Sequence, residues 1–151
     1  MRAAAILAVT TLLAACAPGA GGWTADSRPP AAPLPAAVAV RVHGEGAKVH
    51  RDLARILADG LRTRDYLPDA PTPAWTLDVD IRTFDTETMR TQRRVYVELV
   101  ATGLSDSGSA LFRLSMARPT RPNAGPAGAK RHPHVVEIAD AIIGALPRAA
   151  R

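Results

Sequence analysis

The chain has 151 residues, a formal net charge of +5 at pH 7, and 47% hydrophobic but only 4% aromatic residues. Its length fits one domain. A single cysteine, Cys16, excludes a disulfide within the chain, so stability has to come from a hydrophobic core. Alanine supplies much of the apolar content, and we therefore expect that core to be modest.

The N-terminal segment predicts a secretory signal peptide over residues 1–15. Arg2 supplies one positive charge, and the apolar stretch 3–15 follows it directly. As a helix this stretch would extend roughly 20 Å, which is short of the ~30 Å hydrocarbon core of a bilayer. A basic start, a short apolar segment and small residues at its end are typical of an export signal and not of a membrane span.

The end of this signal, Leu13-Ala14-Ala15-Cys16, resembles the bacterial lipobox, in which a branched residue and two small residues precede a cysteine. The resemblance implies that the Cys16 sulfur carries diacylglycerol, that signal peptidase II cleaves before Cys16, and that the new N-terminus is acylated with a fatty acid such as palmitate. A thiolate is a better nucleophile than a hydroxyl at neutral pH, which suits cysteine to accept the lipid. The alternatives are a signal peptide with an accidental cysteine and a small buried thiol.

The residue after the cysteine bears on location. In enterobacterial lipoproteins an aspartate there retains the protein in the inner membrane, so Ala17 implies the periplasmic face of the outer membrane. We expect an exported chain to meet no nucleic acid, although its positive charge would suit one. Arginine, which binds phosphate and carboxylate well, accounts for all but two of the nineteen basic residues. In the envelope such groups belong to lipopolysaccharide, phospholipid headgroups or an acidic partner protein.

Residues 16–36 predict the lipidated cysteine and a Pro/Gly-rich linker, since 17–36 contains five prolines and three glycines without periodicity. Twenty extended residues span at most ~66 Å. Such a linker could hold the body of the protein clear of the bilayer. We expect the ordered domain over 37–147 and a short tail over 148–151.

Hydrophobic periodicity predicts six elements within this domain. Alternating stretches predict strands, and apolar residues that recur with the helical period predict helices. Their order, β-α-β-β-β-α, predicts an α+β, two-layer sandwich: a four-stranded, mostly antiparallel sheet with two helices on one face. We expect strands over 37–42, 75–82, 94–102 and 109–117, a long polar connection over 85–92, and helices over 48–67 and 134–146.

No pattern in the sequence predicts catalysis, a cofactor or a metal site. Asp78 and Asp80 share one face of a predicted strand, where cross-strand charge pairing explains them better than acid–base chemistry. His132 and His134 lack the further ligands that a zinc site needs. The stretch 103–108 places serines between glycines in a hairpin turn and not on a strand-to-helix elbow. We therefore expect a protein that is not an enzyme.

Basic residues predict one surface that could bind an anion. In an antiparallel meander, the 85–92 connection and the segment after residue 118 emerge at the same end of the sheet. Ordinary solvated arginine is one explanation of this cluster, and a site for anionic lipid or an acidic partner is the other. We call its members the basic pole: Arg90, Arg93, Arg94, Arg118, Arg121, Lys130 and Arg131.

The strand, helix, three strands, helix order after a lipobox resembles LptE-type lipoproteins, which sit inside the lipopolysaccharide translocon, over residues 37–147. It is also similar to small lipoproteins with a TolB N-terminal-like or penicillin-binding-protein-activator fold. The predicted anchor, the linker and the absence of catalytic motifs indicate a membrane-anchored envelope lipoprotein that binds a partner protein as a non-catalytic accessory in envelope assembly or transport. The alternatives are a ligand-binding lipoprotein that recognises anionic lipid or lipopolysaccharide through the basic pole, and an envelope hydrolase.

The lipobox predicts the chemistry of the mature protein. We expect the native product to begin at Cys16 and to carry diacylglycerol on its sulfur, whereas a Cys16→Ser variant should stay unlipidated and keep residues 1–15. Intact-mass spectrometry of protein from the membrane fraction measures both outcomes. An unmodified thiol on a freely diffusing wild-type protein would contradict the prediction.

Overall fold

The structure, a computed structural model, describes residues 22–89, 92–120 and 133–151. The predicted signal peptide and Cys16 lie outside the described residues. Six elements follow each other in the predicted order. They are β1 (Val38–Gly44), α1 (Ala47–Arg62), β2 (Trp75–Met89), β3 (Gln92–Ser105), β4 (Ala110–Thr120) and α2 (Pro133–Ala145).

The strands form one sheet in the order β1-β2-β3-β4. β1 runs parallel to β2, with Val38 opposite Trp75 and Gly44 opposite Ile81. A parallel pair needs a crossover connection, which α1 supplies. The other neighbouring pairs are antiparallel, while α1 contacts β1 and α2, and α2 contacts β4. This arrangement confirms the predicted α+β fold with its four-stranded, mostly antiparallel sheet and two helices.

The β2–β3 hairpin is longer than predicted. The polar stretch 85–92 was expected to connect two strands, but strand pairing continues into it as far as Met89 opposite Gln92. Threonine favours strands, and the stretch contains no glycine or proline that would break one. A shift of register between Ile81 and Thr83 marks a bulge within the hairpin, which bends β2 locally.

The hydrophobic core lies between the sheet and the two helices. Leu77, Val79 and Ile81 of β2 are fully buried, as their alternation with polar residues predicted. Burial of one such side chain contributes about 1.5–3 kcal/mol. Each helix buries the stripe that its apolar period predicted: Val49, Leu53, Ile56, Leu57 and Leu61 from α1, and Val135, Ile138, Ala139 and Ile142 from α2, with Leu146 directly after α2.

Three aromatic rings close one end of the core, which we call the aromatic end. Trp75 packs edge-to-face against Tyr66 and Phe112, with ring centroids 5.7 and 5.9 Å apart. Trp75 Nε1 donates a hydrogen bond to the Pro35 carbonyl at 2.8 Å, and the Tyr66 hydroxyl donates to the Pro147 carbonyl at 3.0 Å. Burial raises the pKa of Tyr66, so its hydroxyl stays protonated and available as a donor.

The tail 148–151 is joined to the body at the aromatic end. The Ala149 amide donates to the Arg64 carbonyl at 2.9 Å, and the Ala150 amide donates to the Leu34 carbonyl at 2.8 Å. Leu34 is itself buried. The segment before β1 and the segment after α2 therefore meet at the aromatic end.

Residues 22–28 of the predicted linker pair with β4, and we call them the strap. Trp23 lies opposite Met116 and Arg28 opposite Arg113, both in antiparallel register. Arg28 and Arg113 exchange two main-chain hydrogen bonds, of 2.6 and 2.9 Å. The strap covers the outer edge of β4, so the described part of the predicted linker is docked on the body.

Gly103 of β3 lets the Phe112 ring pack against the strand backbone. A Cβ at Gly103 would collide with that ring, whereas a Cβ at Gly144 of α2 would meet no atom within 4 Å. We expect Gly103→Ala to lower the free energy of unfolding by about 1–3 kcal/mol through overpacking. Gly144→Ala is the control and should raise it by up to about 1 kcal/mol. Urea denaturation followed by circular dichroism measures both, and equal effects would contradict this account.

Candidate functional site

The structure brings three members of the basic pole to the same end of the sheet. Arg93 and Arg94 lie on β3, opposite Thr88 and Glu87 in the part of the hairpin beyond the last β3–β4 pair. Arg118 lies near the end of β4. The other predicted site residues, Cys16, Arg90, Arg121, Lys130 and Arg131, lie outside the described residues.

Arg118 forms an ion pair that joins β4 to α2. Its NH1 lies 2.9 Å from Glu137 Oε1, and the two side chains are only 26% and 15% exposed. Within the described part of the chain, Arg118 Nε and Glu137 Oε2 are buried without a hydrogen-bond partner. The side chain also lies against the start of the strap, because a Cβ at Gly22 would collide with it. Arg118 therefore connects three parts of the fold.

The sheet face opposite the helices carries charges from adjacent strands. His43 of β1 lies between two carboxylates of β2, with Nε2 3.0 Å from Asp78 Oδ2 and Nδ1 3.6 Å from Asp80 Oδ1. Arg41 lies 3.9 Å from the other oxygen of Asp78, and Arg82 lies 3.7 Å from Asp80. The pairs between β1 and β2 are cross-strand pairs, which contribute roughly 0.2–1 kcal/mol each, whereas Arg82 and Asp80 pair within β2. Charge pairing thus accounts for two aspartates on one face.

A cleft of about 220 Å³ opens on this face beside the strap. Its lining includes Arg82 of β2, Glu98 of β3 and Arg113 of β4, with Asp26 supplied by the strap. Val100, which also lines the cleft, is 7% exposed and provides an apolar floor. The cleft therefore offers both signs of charge around an apolar surface, a chemistry that suits contact with a polar ligand or a protein loop.

Side-chain hydrogen bonds hold the turn of the strap that borders this cleft. The Thr24 hydroxyl donates to the Asp26 carboxylate and lowers the pKa of Asp26, while desolvation opposes the shift and the charge of Arg113 adds to it. Ser115 Oγ donates to the same carboxylate at 3.4 Å. Because the folded-state pKa is lowered, this contribution to stability is present at neutral pH and is lost as the pH falls through that pKa.

Among residues 22–89, 92–120 and 133–151, no three His, Cys, Asp or Glu side chains are placed to hold a metal ion. No helix in those ranges combines the length and apolar character that would let it cross a bilayer. His134, predicted in a helix-entry loop, is buried at the start of α2, where its Nδ1 lies 2.5 Å from Thr120 Oγ1.

No family model and no curated protein match the chain. Among solved structures, it is similar to PelC of Paraburkholderia phytofirmans, which is described as a dodecamer. A single-residue variant of PelC gives a TM-score of 0.57 at 16% identity, covering 81% of this chain and 95% of that chain. A second PelC crystal form gives 0.54 at 14% identity, with 82% and 94% covered. A Caulobacter crescentus protein described as a lipoprotein gives 0.45 at 14% identity, with 69% and 84% covered.

At these identities the PelC comparison shows a shared fold. The structural neighbours include two proteins described as lipoproteins, with TM-scores of 0.45 and 0.39. The predicted likeness to LptE-type and TolB N-terminal-like lipoproteins is not confirmed and stays a prediction.

Sequence reasoning missed the strap and the cleft beside it. The proline-rich composition indicated a linker, and the short turn within that stretch was therefore not predicted. Thr24, Asp26 and Ser27 are turn-forming residues, and they are the local signal that could have located it. Pairing with β4 leaves no local signal, because Ser27 and its partner Ser115 are 88 positions apart in the chain.

The ion pair between Arg118 and Glu137 predicts a stability effect. We expect Glu137→Ala to lower the free energy of unfolding by about 2 kcal/mol, because it leaves a mostly buried guanidinium unpaired. Asp140→Ala, at an exposed position of the same helix, is the control and should change it by less than about 0.5 kcal/mol. Adding Arg118→Met to Glu137→Ala should restore most of the loss. Urea denaturation measures all of these, and equal effects of the two single alanine variants would refute the prediction.

Proposed function

We propose that this protein is an envelope lipoprotein, held at the periplasmic face of the outer membrane by lipid on Cys16. It acts without catalysis in envelope assembly or transport, by binding a partner protein. The lipobox at 13–16 supports the anchor, and Ala17 supports the choice of membrane. The observation that carries the binding role is the fold shared with PelC, a protein described as a dodecamer.

The partner that this shared fold favours is a further copy of the same chain. The matched region covers 95% of the PelC variant chain, so almost all of that chain has a counterpart here. A single self-complementary contact closes a dimer, so an assembly of more than two copies requires at least two contact surfaces on every copy. An open edge of a sheet is a natural candidate for one of them.

The edge that the fold leaves open is β1. It is the first strand in the order of the sheet. Within the described chain its outer side is bonded only at its start, where the Val38 amide donates to the Leu67 carbonyl at 3.3 Å. An edge strand presents main-chain donors and acceptors that another chain can use. Arg41 and His43 on this strand are 68% and 47% exposed. The opposite edge, along β4, is occupied by the strap.

Recognition of anionic lipid or lipopolysaccharide through the basic pole is the weaker proposal. Arg118 is the pole residue whose side chain the structure describes, and it is paired with Glu137. A guanidinium that already donates to a carboxylate has fewer donors left for a phosphate. Protein binding is therefore the function that we carry forward.

Self-assembly predicts the mass of the full-length, lipidated protein. After extraction from a bacterial host in mild detergent, we expect a particle of several copies by light scattering and native mass spectrometry. Arg41→Glu reverses a charge on the β1 edge and should shift the mass towards the monomer. Arg51→Glu reverses the charge of an exposed arginine on α1 and should leave the mass unchanged. Thermal unfolding checks that both variants are folded.

A different experimental result would contradict each part of the proposal. A wild-type protein that is membrane-bound and monomeric would overturn self-assembly. A wild-type protein absent from the membrane fraction would overturn the anchor. Crosslinking in cells, with identification by mass spectrometry, would reveal an envelope partner other than a second copy.

A further inference from the structure

The strap is held on β4 by more than main-chain pairing. The Thr24 amide donates to the Ser115 carbonyl at 2.8 Å. Ser27 Oγ accepts from the Ser115 amide at 2.9 Å and donates to the Ser115 carbonyl at 3.2 Å. At the turn in the strap, the main chain of the strap is too far from β4 to pair with it. The Ser27 side chain therefore bonds the main chain of Ser115 in its place. Trp23 is partly buried and packs against the core, so the strap is anchored at its start.

The direction of the strap places the N-terminus at a defined end of the molecule. Since the strap runs antiparallel to β4, its first residues lie towards Thr120. Gly22 is packed against Arg118 at this end. The turn after β1, at Gly44, and the β2–β3 hairpin lie at the same end. We call it the strap end, and the aromatic end lies at the other end of the strands.

The tether between the predicted lipid and the strap is short. Residues 17–21 separate Cys16 from Gly22, so the two Cα atoms are at most about 22 Å apart. A free linker over 17–36 would have reached about 66 Å. β4 alone has 11 residues and extends roughly 36 Å. The tether is thus shorter than β4, and it leaves near the end of β4 at Thr120.

We propose that the strap presents the strap end of the sheet to the lipid surface and directs the aromatic end into the periplasm. This inference rests on lipidation of Cys16 as proposed above. A domain attached at one end by a tether shorter than its own length cannot turn its far end to the bilayer while the strap is docked. The strap end is therefore the surface that meets lipid headgroups, and the turn at 105–109 is exposed to proteins in solution.

Fluorescence energy transfer to the bilayer tests this orientation on the full-length, lipidated protein. Cys16 is the chain's only cysteine, so a donor dye on an introduced thiol labels one site. Glu45→Cys labels the strap end and Asp106→Cys labels the far turn; both positions are exposed. The proteins are reconstituted in vesicles of phosphatidylethanolamine and phosphatidylglycerol that contain acceptor-labelled lipid. We expect severalfold more transfer from position 45 than from position 106.

Two further variants separate the strap from the tether. Thr24→Pro combined with Ser27→Ala removes the contacts with Ser115 and should abolish the difference between the two labels, while Thr72→Pro, in an exposed loop, should preserve it. A flexible Gly/Ser insertion of about ten residues between residues 20 and 21 keeps the strap and should also abolish the difference.

The outcomes distinguish this inference from the proposal on which it rests. Equal transfer from both positions in vesicle-bound wild-type protein would overturn the orientation and leave the anchor intact. A difference that survives release of the strap would show that another surface sets the orientation. A wild-type protein that stays off the vesicles would instead overturn lipidation at Cys16.

Discussion

Main-chain hydrogen bonds along the outer edge of β4 connect the fold of this protein to its proposed place in the envelope. An unpaired edge exposes a row of donors and acceptors, and natural sheets cover such rows. Here the strap covers it, with Ser27 completing the pairing at Ser115. The same contacts create one wall of the cleft and shorten the tether to Cys16. Edge protection, a polar cleft and a defined attachment point thus depend on one stretch of seven residues, 22–28.

One edge of the sheet is covered and the other is largely open, and this asymmetry makes the fold suitable for assembly. The strap closes the β4 edge from within the chain, whereas the outer side of β1 is bonded within the described residues only at its start, where the Val38 amide donates to the Leu67 carbonyl. A molecule with one closed and one open edge cannot stack indefinitely through edge-to-edge pairing of equal strands. The face between the edges carries charged side chains of both signs, among them Arg41 beside Asp78, and these keep it compatible with water. Growth into uncontrolled aggregates is thereby disfavoured, while a specific contact at β1 stays possible.

Features that repeat within one element were predictable, and features that join distant elements were not. The stripe of α1 from Val49 to Leu61 follows from the helical period, because burial of one face requires it. The extension of the hairpin into 85–92 was not predicted, because the polar residues of this stretch indicated a loop more strongly than its threonines indicated a strand. The strap and the pairing of Arg118 with Glu137 depend on tertiary contacts that no local pattern records. The fold was therefore predictable from periodicity, whereas the surroundings of the basic pole were not.

The closure of the aromatic end has a consequence for biogenesis. The Ala150 amide bonds to the Leu34 carbonyl, and the Tyr66 hydroxyl bonds to the Pro147 carbonyl. These contacts join the beginning and the last residues of the domain, so they cannot form until the ribosome has released nearly the whole polypeptide. A nascent chain therefore stays incompletely folded during synthesis. Export through a narrow translocation channel, which our proposal implies, would require that state, and these contacts would then form after the chain had crossed.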